Sequence, residues 1–490
     1  MRNLIVVNQP DRWPFDIPGV EVVAARSYLT DPSYTAQRGV RVYNLCRSYR
    51  YQSVGYYVSL LAEARGHRPL PGTSTIQDMK SPVVARILSE EVDELIQKAL
   101  APLKTDRFVL SIYFARNTAK AYDRLCQSLY NQFQAPLMRA TFVRRDDVWE
   151  MQDISSISAA EVPESHRPFV AEVARTFFEG RRPAHRPKTP PRYYLGILYD
   201  EAETHSPSNP KAIAKFIRAA EKFHIEAEVL SRDDYSRLAE FDALFIRQTT
   251  AVNHFTFRFA SRAQAEGLVV IDDPQSILRC TNKVYLAELL DRHDILGPKT
   301  VIVHRDNLDE VCSQLGFPII LKQPDSAFSQ GVKKVKDREE FDTLVAQLFE
   351  DTELLVAQEF VQTDFDWRIG VLDRKAIYAA KYFMARKHWQ IIANAAEGEA
   401  DYGKVEAVPV ELVPQQVVRS AVKAASLIGD GLYGVDLKQV GRLAYVIEVN
   451  DNPSIDAGYE DSLLKDALYE RIMEHFALRL ERQKERRTEE

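Results

Sequence analysis

The pattern of hydrophobic and polar residues over the first 180 positions predicts an α/β domain. Four short runs have the length and the apolar content of strands: 4–7, 20–23, 40–45 and 108–114. Residues 54–65 have helical spacing and stop at Gly66, a suitable C-terminal cap. Because strands and helices alternate, we expect a mostly parallel sheet. The pattern does not indicate what this domain binds.

A proline-rich segment separates this domain from a second α/β pattern. Residues 181–192 contain four prolines, which fit neither a helix nor a central strand, and we interpret them as a linker. The next domain, 193–280, has strands predicted at 193–199, 225–230, 243–247 and 268–272, and helices at 210–224 and 255–266. This β-α-β order predicts a small doubly wound sheet.

From residue 281 onward, strands and helices follow in a different order. A helix opens at Asn282-Lys283, and further strands are predicted at 298–303, 316–324 and 354–361. The strand over 316–324 carries Lys322 and leads into a small polar loop at 325–333, whose backbone N–H groups are able to fold over phosphates. A last helix is predicted at 462–478, continued by a charged tail at 479–490.

The most informative polar residues lie in a predicted hairpin near the C-terminus. Side chains alternate along a strand, so Glu448 and Asn450 share one face of the last apolar run. With a three-residue loop at 440–442, Asp436 stands opposite Val446 and shares that face. Two carboxylates and one amide oxygen suit Mg²⁺, which favours oxygen ligands. The alternative interpretation is a structural polar cluster at a strand end.

Composition narrows the class of protein. The chain has 490 residues, 45% of them hydrophobic, which is ordinary for a globular protein of roughly two to four domains. No run reaches the ~18 apolar residues of a membrane span, the N-terminus lacks a secretory signal pattern, and the four dispersed cysteines lack metal-ligand spacing. We therefore expect reduced thiols in a cytoplasmic protein with no membrane partner.

Charge is uneven along the chain. The net charge is −6, yet basic residues outnumber acidic ones in 1–192. A scattered basic surface explains this excess more simply than a nucleic-acid partner does. The composition does not indicate the oligomeric state, and a homo-oligomer is possible.

Taken in order, the segments over 193–478 resemble the ATP-grasp ligases, in particular the RimK-like group related to ribosomal-protein glutamate ligases. The motifs that carry the resemblance are Asn282-Lys283, the strand to Lys322 with its loop, Gln358-Glu359-Phe360-Val361, Asp366-Trp367-Arg368, Gly434-Val435-Asp436 and Glu448-Val449-Asn450-Asp451-Asn452-Pro453. The resemblance implies a multidomain protein of mixed α/β and α+β class. Its segments are an N-terminal α/β domain of unknown role at 1–180, the linker at 181–192, a pre-ATP-grasp α/β domain at 193–280, a C-terminal ATP-grasp domain at 281–478 and the tail at 479–490.

The resemblance also implies roles for individual residues. ATP would be bound by Lys283, Lys322, Ser329, Gly331, Gln358, Glu359, Phe360, Val361, Asp366, Lys381 and Asn394. Mg²⁺, or Mn²⁺ in its place, would be held by Asp436, Glu448 and Asn450. Arg368 and Lys322 would be catalytic, neutralising charge on the phosphate and on the substrate carboxylate. The glycine-poor loop at 326–331 and the acidic segment at 395–404 depart from the family pattern and leave the acceptor substrate open.

The implied activity is ATP- and Mg-dependent ligation of a carboxylate to an amine through an acyl phosphate, with release of ADP. The substrates would be an amino acid and a second amino acid, a peptide or a protein acceptor. The alternative is a non-catalytic ATP-binding regulatory module of the same architecture, and a thioester or a phosphorylated acid as product also stays open. No Ser-His-Asp or Cys-His arrangement in the sequence competes with this interpretation.

Overall fold

The structure is a computed structural model of the 490-residue chain. It describes residues 2–15, 17, 19–37, 39–80, 92–179, 191–204, 206–325, 332–350, 352–384, 392–393, 401–402 and 404–489. The chain divides into two compact units, of which one comprises 1–188 with 235–240 and the other 189–234 with 241–490. Most of the predicted linker at 181–192 lies outside the described residues.

The first unit begins with a parallel sheet, as predicted. Its strands are β1 (Arg2–Val7), β2 (Glu21–Ala24), β3 (Val40–Asn44) and β4 (Arg68–Leu70), in the order β2-β1-β3-β4. The accompanying helices are α1 (Ala25–Thr30), α2 (Pro32–Thr35), α3 (Val54–Ala64) and α4 (Thr73–Asp78). Leu4 and Val6 belong to one core cluster and Ile5 to another. The strand is apolar on both faces because both faces are covered.

The second half of this unit departs from the prediction of a mostly parallel sheet. Strands β5 (Arg107–Tyr113), β6 (Leu137–Arg145) and β7 (Val148–Ser156) pair antiparallel in sequence order. Asp146 and Asp147, with φ of 47° and 63°, form the turn between β6 and β7, and so short a connection permits only antiparallel pairing. Helices α5 (Asp93–Leu100), α6 (Asp123–Phe133) and α7 (Arg167–Glu179) complete the unit.

The second unit opens with the doubly wound sheet predicted for 193–280. The parallel strands β8 (Tyr193–Leu198), β9 (Ile225–Leu230), β10 (Ala243–Ile246) and β11 (Val269–Ile271) are arranged β11-β10-β8-β9. Their helices are α8 (Pro210–Glu221), α9 (Phe255–Ala265) and α10 (Pro274–Thr281). Helix α8 starts after Asn209 because that side chain accepts the N–H of Ala212.

Two more sheets follow in the second unit. The smaller has the order β12-β15-β13-β14 and contains β12 (Thr300–Val303), β13 (Ile319–Lys322), β14 (Val332–Val335) and β15 (Leu355–Glu359), with helices α11 (Lys283–Arg292), α12 (Leu308–Leu315) and α13 (Arg338–Leu348). The larger has the order β20-β17-β16-β21-β22 and contains β16 (Phe365–Leu372), β17 (Lys375–Phe383), β20 (Val405–Val408), β21 (Leu432–Val440) and β22 (Leu443–Asn450). Strands β18 (Ile392–Ala393) and β19 (Asp401–Tyr402) form a separate pair.

The faces of the larger sheet differ in character. Helix α14 (Gln415–Ile428) packs on one face, in a cluster with Trp367, Leu437 and Val449. Side chains alternate along each strand, so the neighbours Arg368 and Asp436 lie on the other face, which α14 leaves available for chemistry.

The C-terminal helix α15 (Asp466–Glu489) includes nearly all of the predicted tail and packs on α8, where the rings of Phe216 and Tyr469 are 4.7 Å apart. In the described part of the chain no helix combines the length and apolar character needed to cross a membrane. Together the sheets and helices confirm the predicted mixed α/β class.

Candidate active site

The hairpin of β21 and β22 confirms one part of its prediction and corrects another. Val440 pairs with Leu443, so the turn has two residues rather than the three expected. A bulge next to Asp436 then shifts the register, and Asp436 stands opposite Glu448 instead of Val446. The extra residue in β22 turns Glu448 onto the face of Asp436, because a shift of one residue exchanges the faces of a strand. The predicted shared face is therefore correct, although the predicted loop is wrong.

Asp436 is bound on both oxygens by Arg368. The Arg368 Nε and Nη2 atoms donate to its two carboxylate oxygens, each at 2.7 Å, across the paired strands β16 and β21. Asn450 Nδ2 donates to the same carboxylate at 3.2 Å. The Arg368 guanidinium also lies 4.8 Å from the ring centre of Tyr382. Such a bidentate pair fixes the geometry of both side chains.

Lys322 and Lys283 bring positive charge to this carboxylate face. The Lys283 Nζ is 3.7 Å from Glu448 Oε1, and the Lys283 N–H donates to the Pro324 carbonyl just beyond β13. Lys322, the last residue of β13, is only 8% exposed. Burial lowers the pKa of Lys322 to about 8, with Glu448 opposing and Lys283 reinforcing the shift. This ammonium is therefore poorly solvated and favours an anionic partner.

Asp366 has a partner that the sequence did not indicate. Lys438 Nζ donates to Asp366 Oδ1 at 2.6 Å and to Thr363 Oγ1 at 3.0 Å. Burial raises the pKa of Asp366, while the neighbouring Lys438 lowers it. Lys438 follows Asp436 by two positions in the same strand, so the period-two alternation would have placed it on the site face.

The residues predicted to line the adenine slot lie at the end of β15. Gln358 Nε2 donates to Thr300 Oγ1 at 2.9 Å. Glu359 Oε1 accepts the N–H of Lys299 at 2.9 Å. Phe360 and Val361 follow the strand, and the Phe360 ring has Lys334 Nζ 3.4 Å from its centre. Gln358 and Glu359 are thus the last two residues of β15, and Phe360 and Val361 follow directly after them.

Lys381 is not brought together with the other predicted residues. It pairs with Trp367, and its ammonium lies 4.8 Å from the ring centre of Phe365 and 5.2 Å from that of Trp367. Trp367 faces away from Arg368, so Lys381 lies on the opposite face of the sheet from Arg368 and Asp436. The three remaining predicted ligands, Ser329, Gly331 and Asn394, lie outside the described residues.

Arg247 is a further residue near the site that sequence reasoning missed. It is fully buried after β10 and donates to Asn452 Oδ1 at 2.6 Å, to the Pro453 carbonyl at 2.8 Å and to Ser208 Oγ. Arg247 thus connects the turn that follows Asn450 to the doubly wound sheet by hydrogen bonds. The signal was a charged residue at the end of an otherwise apolar strand, which requires a buried partner.

The donor chemistry of the hairpin fits a divalent cation. Glu448 keeps a third of its side chain exposed, and Asp436 and Asn450 lie beside it on one face. A carboxylate has about four lone-pair directions, so Asp436 retains capacity beyond its bonds to Arg368 and Asn450. Among the described residues, no group of three or more His, Cys, Asp or Glu side chains could hold a metal ion. The predicted ligand set differs from such a group, because it consists of two carboxylates and one amide.

Two family models match this chain. Residues 25–173 match the RimK-like ATPgrasp N-terminal domain, and residues 280–467 match the RimK-like ATP-grasp domain. Together they cover well over half of the chain.

Several individual proteins are similar to parts of this chain. A probable alpha-L-glutamate ligase of Thioalkalivibrio sulfidiphilus is 26% identical over 45% of this chain and 71% of its own length. The alpha-aminoadipate–LysW ligase LysX of Saccharolobus solfataricus is 27% identical over 38% of this chain and 67% of its own. Among solved structures, a RimK domain ATP-grasp protein of Sphaerobacter thermophilus covers 58% of this chain and 98% of its own at 16% identity, with a TM-score of 0.44.

Proposed function

We propose, because this chain belongs to the RimK-like ATP-grasp ligase family, that its site activates a carboxylate with ATP and passes the acyl group to an amine. The observation that carries the proposal is the set of charges between the smaller and the larger sheet. Lys283, Lys322 and Arg368 supply positive charge beside the carboxylates of Asp436 and Glu448. Cations and acidic ligands side by side suit a nucleotide phosphate and its metal.

Each residue has a role that its contacts support. Lys322 is poorly solvated at the end of β13, so its ammonium group is the one that contact with a phosphate oxygen stabilises most. Lys283 opens α11, so its charge adds to the partial positive charge of that helix N-terminus. Arg368 orients Asp436 and supports charge on the reacting carboxylate. Gln358 through Val361 border the adenine.

We assign the divalent cation, Mg²⁺ with Mn²⁺ as a substitute, to Asp436, Glu448 and Asn450. When bound, it would neutralise charge on the nucleotide phosphates. Lys381 has no place in this assignment, because its side chain lies on the far face of the sheet.

The proposed reaction has two steps. A carboxylate oxygen of the first substrate attacks the γ-phosphorus of ATP, a new O–P bond forms, and the bond to ADP breaks. An amine then attacks the acyl carbon of this mixed anhydride, phosphate leaves, and the amine loses a proton as the amide forms. The chain needs no covalent nucleophile, since positioning and charge neutralisation account for most of the catalysis of phosphoryl transfer.

The substrates we propose are an amino acid and an amino acid, peptide or protein acceptor. One similar protein is named a glutamate ligase and another a ligase of alpha-aminoadipate and LysW. The regulatory alternative has less support, since Arg368 and all three proposed metal ligands are present together beside Lys322, whereas loss of a metal ligand would have favoured a module without turnover.

The test is release of ADP by the purified protein with Mg-ATP and a panel of paired acids and amines. We expect release to depend on both substrates, on the metal and on Glu448. Glu448→Gln should abolish it, whereas Glu411→Gln, the same change at an exposed position outside the site, should have no effect. If no pair stimulates ADP release although the protein binds ATP, the ligase proposal is wrong and the regulatory module takes its place.

A further inference from the structure

One donor of the Arg368 guanidinium is unused. The Nε and Nη2 atoms of Arg368 donate to Asp436, whereas Nη1 has no hydrogen-bond partner among the described residues. The side chain is 16% exposed, and Nη1 is not enclosed by protein. An arginine has no other free nitrogen once Nε and Nη2 are bonded. Nη1 is therefore the donor that is left for the carboxylate of a substrate.

Strand β17 places an aromatic ring beside this guanidinium. Ala380 stands directly opposite Arg368, and Tyr382 stands opposite Asp366, so these side chains share the site face of the larger sheet. The small side chain of Ala380 leaves room for the guanidinium to reach its diagonal neighbour Tyr382, with 4.8 Å between the guanidinium carbon and the ring centre. A cation over an aromatic face is attracted to it, most strongly where water is excluded.

The Tyr382 ring is fixed by the segment that follows the proposed metal ligands. Its hydroxyl donates to Glu460 Oε1, and Glu460 Oε2 accepts the N–H of Asp456 at 2.8 Å. Tyr382 and Glu460 are both buried. Burial and the neighbouring Glu460 raise the pKa of Tyr382, so the phenol keeps its proton and remains a donor. The ring is thus held at one end by β17 and at the other by Glu460.

The ring supplies a restraint that the pair of Arg368 and Asp436 lacks. Two parallel N–H···O bonds keep the guanidinium and the carboxylate in one plane, but they do not prevent the two groups from tilting together. Asp436 is also a proposed metal ligand, so its oxygens would be shared with the cation. A ring against the flat face of the guanidinium opposes the tilt. The direction of Nη1 matters, because a displacement of about 1 Å at a reacting group costs about 100-fold in rate.

We propose that Tyr382 is a positioning residue, whose ring holds the Arg368 guanidinium so that Nη1 points at the carboxylate being activated. Glu460 in turn holds the ring. This inference rests on the ligase function proposed above and deepens it. Because Tyr382 acts only through Arg368, its loss affects the reaction of the acid with ATP and not the binding of the nucleotide.

The first test is ADP release by the full-length protein with Mg-ATP, each standard amino acid as the acid and hydroxylamine as the amine. Tyr382→Leu removes the ring and should lower kcat about tenfold, while the dissociation constant of Mg-ADP changes by less than about twofold. Tyr382→Phe keeps the ring and should stay within about threefold of the wild type. Equal losses in Tyr382→Leu and Tyr382→Phe would overturn the proposal.

A double-mutant cycle shows whether Tyr382 acts through Arg368. In an Arg368→Lys background, Tyr382→Leu should have almost no further effect on kcat, because the planar group that the ring supports is gone. An equally large loss in both backgrounds would refute the positioning role. The control is Phe383→Leu, which removes a ring from the opposite face of the same strand and should leave kcat unchanged.

The Nε–H group of Arg368 provides a measurement that needs no acid or amine. Its ¹H–¹⁵N resonance is identified by its loss in Arg368→Lys. With Mg-ADP present, this hydrogen should exchange with solvent about tenfold faster in Tyr382→Leu than in the wild type or Phe383→Leu. Unchanged exchange in Tyr382→Leu would contradict the proposal.

Together the measurements separate this inference from the ligase proposal. If Tyr382→Leu speeds the exchange but no acid stimulates ADP release, the ligase proposal fails while the positioning of Arg368 stands. If an acid stimulates ADP release and Tyr382→Leu lowers kcat equally with and without Arg368, the positioning role fails while the ligase stands.

Discussion

Nucleotide binding by this protein should weaken above pH 8, because Lys322 loses its charge there. Lys322 is 8% exposed, and burial lowers its pKa to about 8. Glu448 and Asp366 favour its charged form, while Lys283 and Lys438 oppose it. With this pKa, roughly nine in ten Lys322 side chains are charged at pH 7 and roughly one in ten at pH 9. A bound phosphate favours the charged form and raises the lowered pKa of Lys322 again, so binding takes up a proton above pH 8.

The assay is calorimetric titration with Mg-ADP from pH 6.5 to 9.5. The dissociation constant should be nearly constant below pH 7.5 and should rise roughly tenfold between pH 7 and pH 9, in line with the charged fraction. Lys322→Arg keeps its charge throughout this range and should remove the dependence. Lys381→Arg, on the far face of the sheet, should keep the wild-type profile.

Two results would refute this reasoning. A dissociation constant that stays constant up to pH 9.5 would mean that Lys322 is fully charged or does not contact the nucleotide. A pH dependence that persists in Lys322→Arg would assign the titration to another group.

Three further changes have defined outcomes. Arg368→Ala leaves the carboxylate of Asp436 without its two 2.7 Å donors, and turnover should fall about 100-fold or more while Mg-ADP still binds; unchanged turnover would contradict the role of Arg368. Gly434→Ala places a Cβ 2.7 Å from Pro453 Cβ, and this clash should lower the unfolding free energy by about 1–3 kcal/mol. It should also raise the Mg²⁺ concentration needed for activity. A metal titration that does not shift would contradict this expectation. Burial raises the pKa of Asp272 well above its usual value and leaves both its carboxylate oxygens without partners among the described residues. Above pH 4 the folded wild type therefore holds a proton that the unfolded chain has released, and its unfolding free energy falls with rising pH by up to about 1.4 kcal/mol per unit. The unfolding free energy of Asp272→Asn lacks this dependence on pH, so its melting temperature should rise relative to that of the wild type between pH 5 and pH 7.5. A difference in melting temperature that is the same at both pH values would contradict this reasoning.

Local patterns along the chain were sufficient to predict much of the fold. Apolar runs marked the parallel strands of both units, and Asn209 marked the start of α8. The period-two alternation placed Glu448 and Asn450 on one face, since it depends only on the geometry of a single strand. The same rule would have added Lys438, two positions after Asp436. Motifs in fixed order identified the family before any contact was known.

Partners distant along the chain were decided by the tertiary structure. The antiparallel sheet of 107–156 was mistaken for part of a parallel one, because β6 and β7 were not recognised as strands. Lys381 was assigned to the nucleotide, and only its pairing with Trp367 places it on the other face. The bulge beside Asp436 sets which residue stands opposite Glu448.

Arg247 is the clearest case of a residue whose place the sequence could not determine. It donates to Asn452, 205 positions away, and to the carbonyl of Pro453 beside it, so its partners are far from it along the chain. The sequence by itself determined which residues of a single strand share a face and which family its motifs indicate, because these follow from neighbouring residues and from the order of the motifs. The tertiary structure alone decided strand registers and distant partners, because these depend on how separate elements pack and on which polar groups burial leaves to be satisfied.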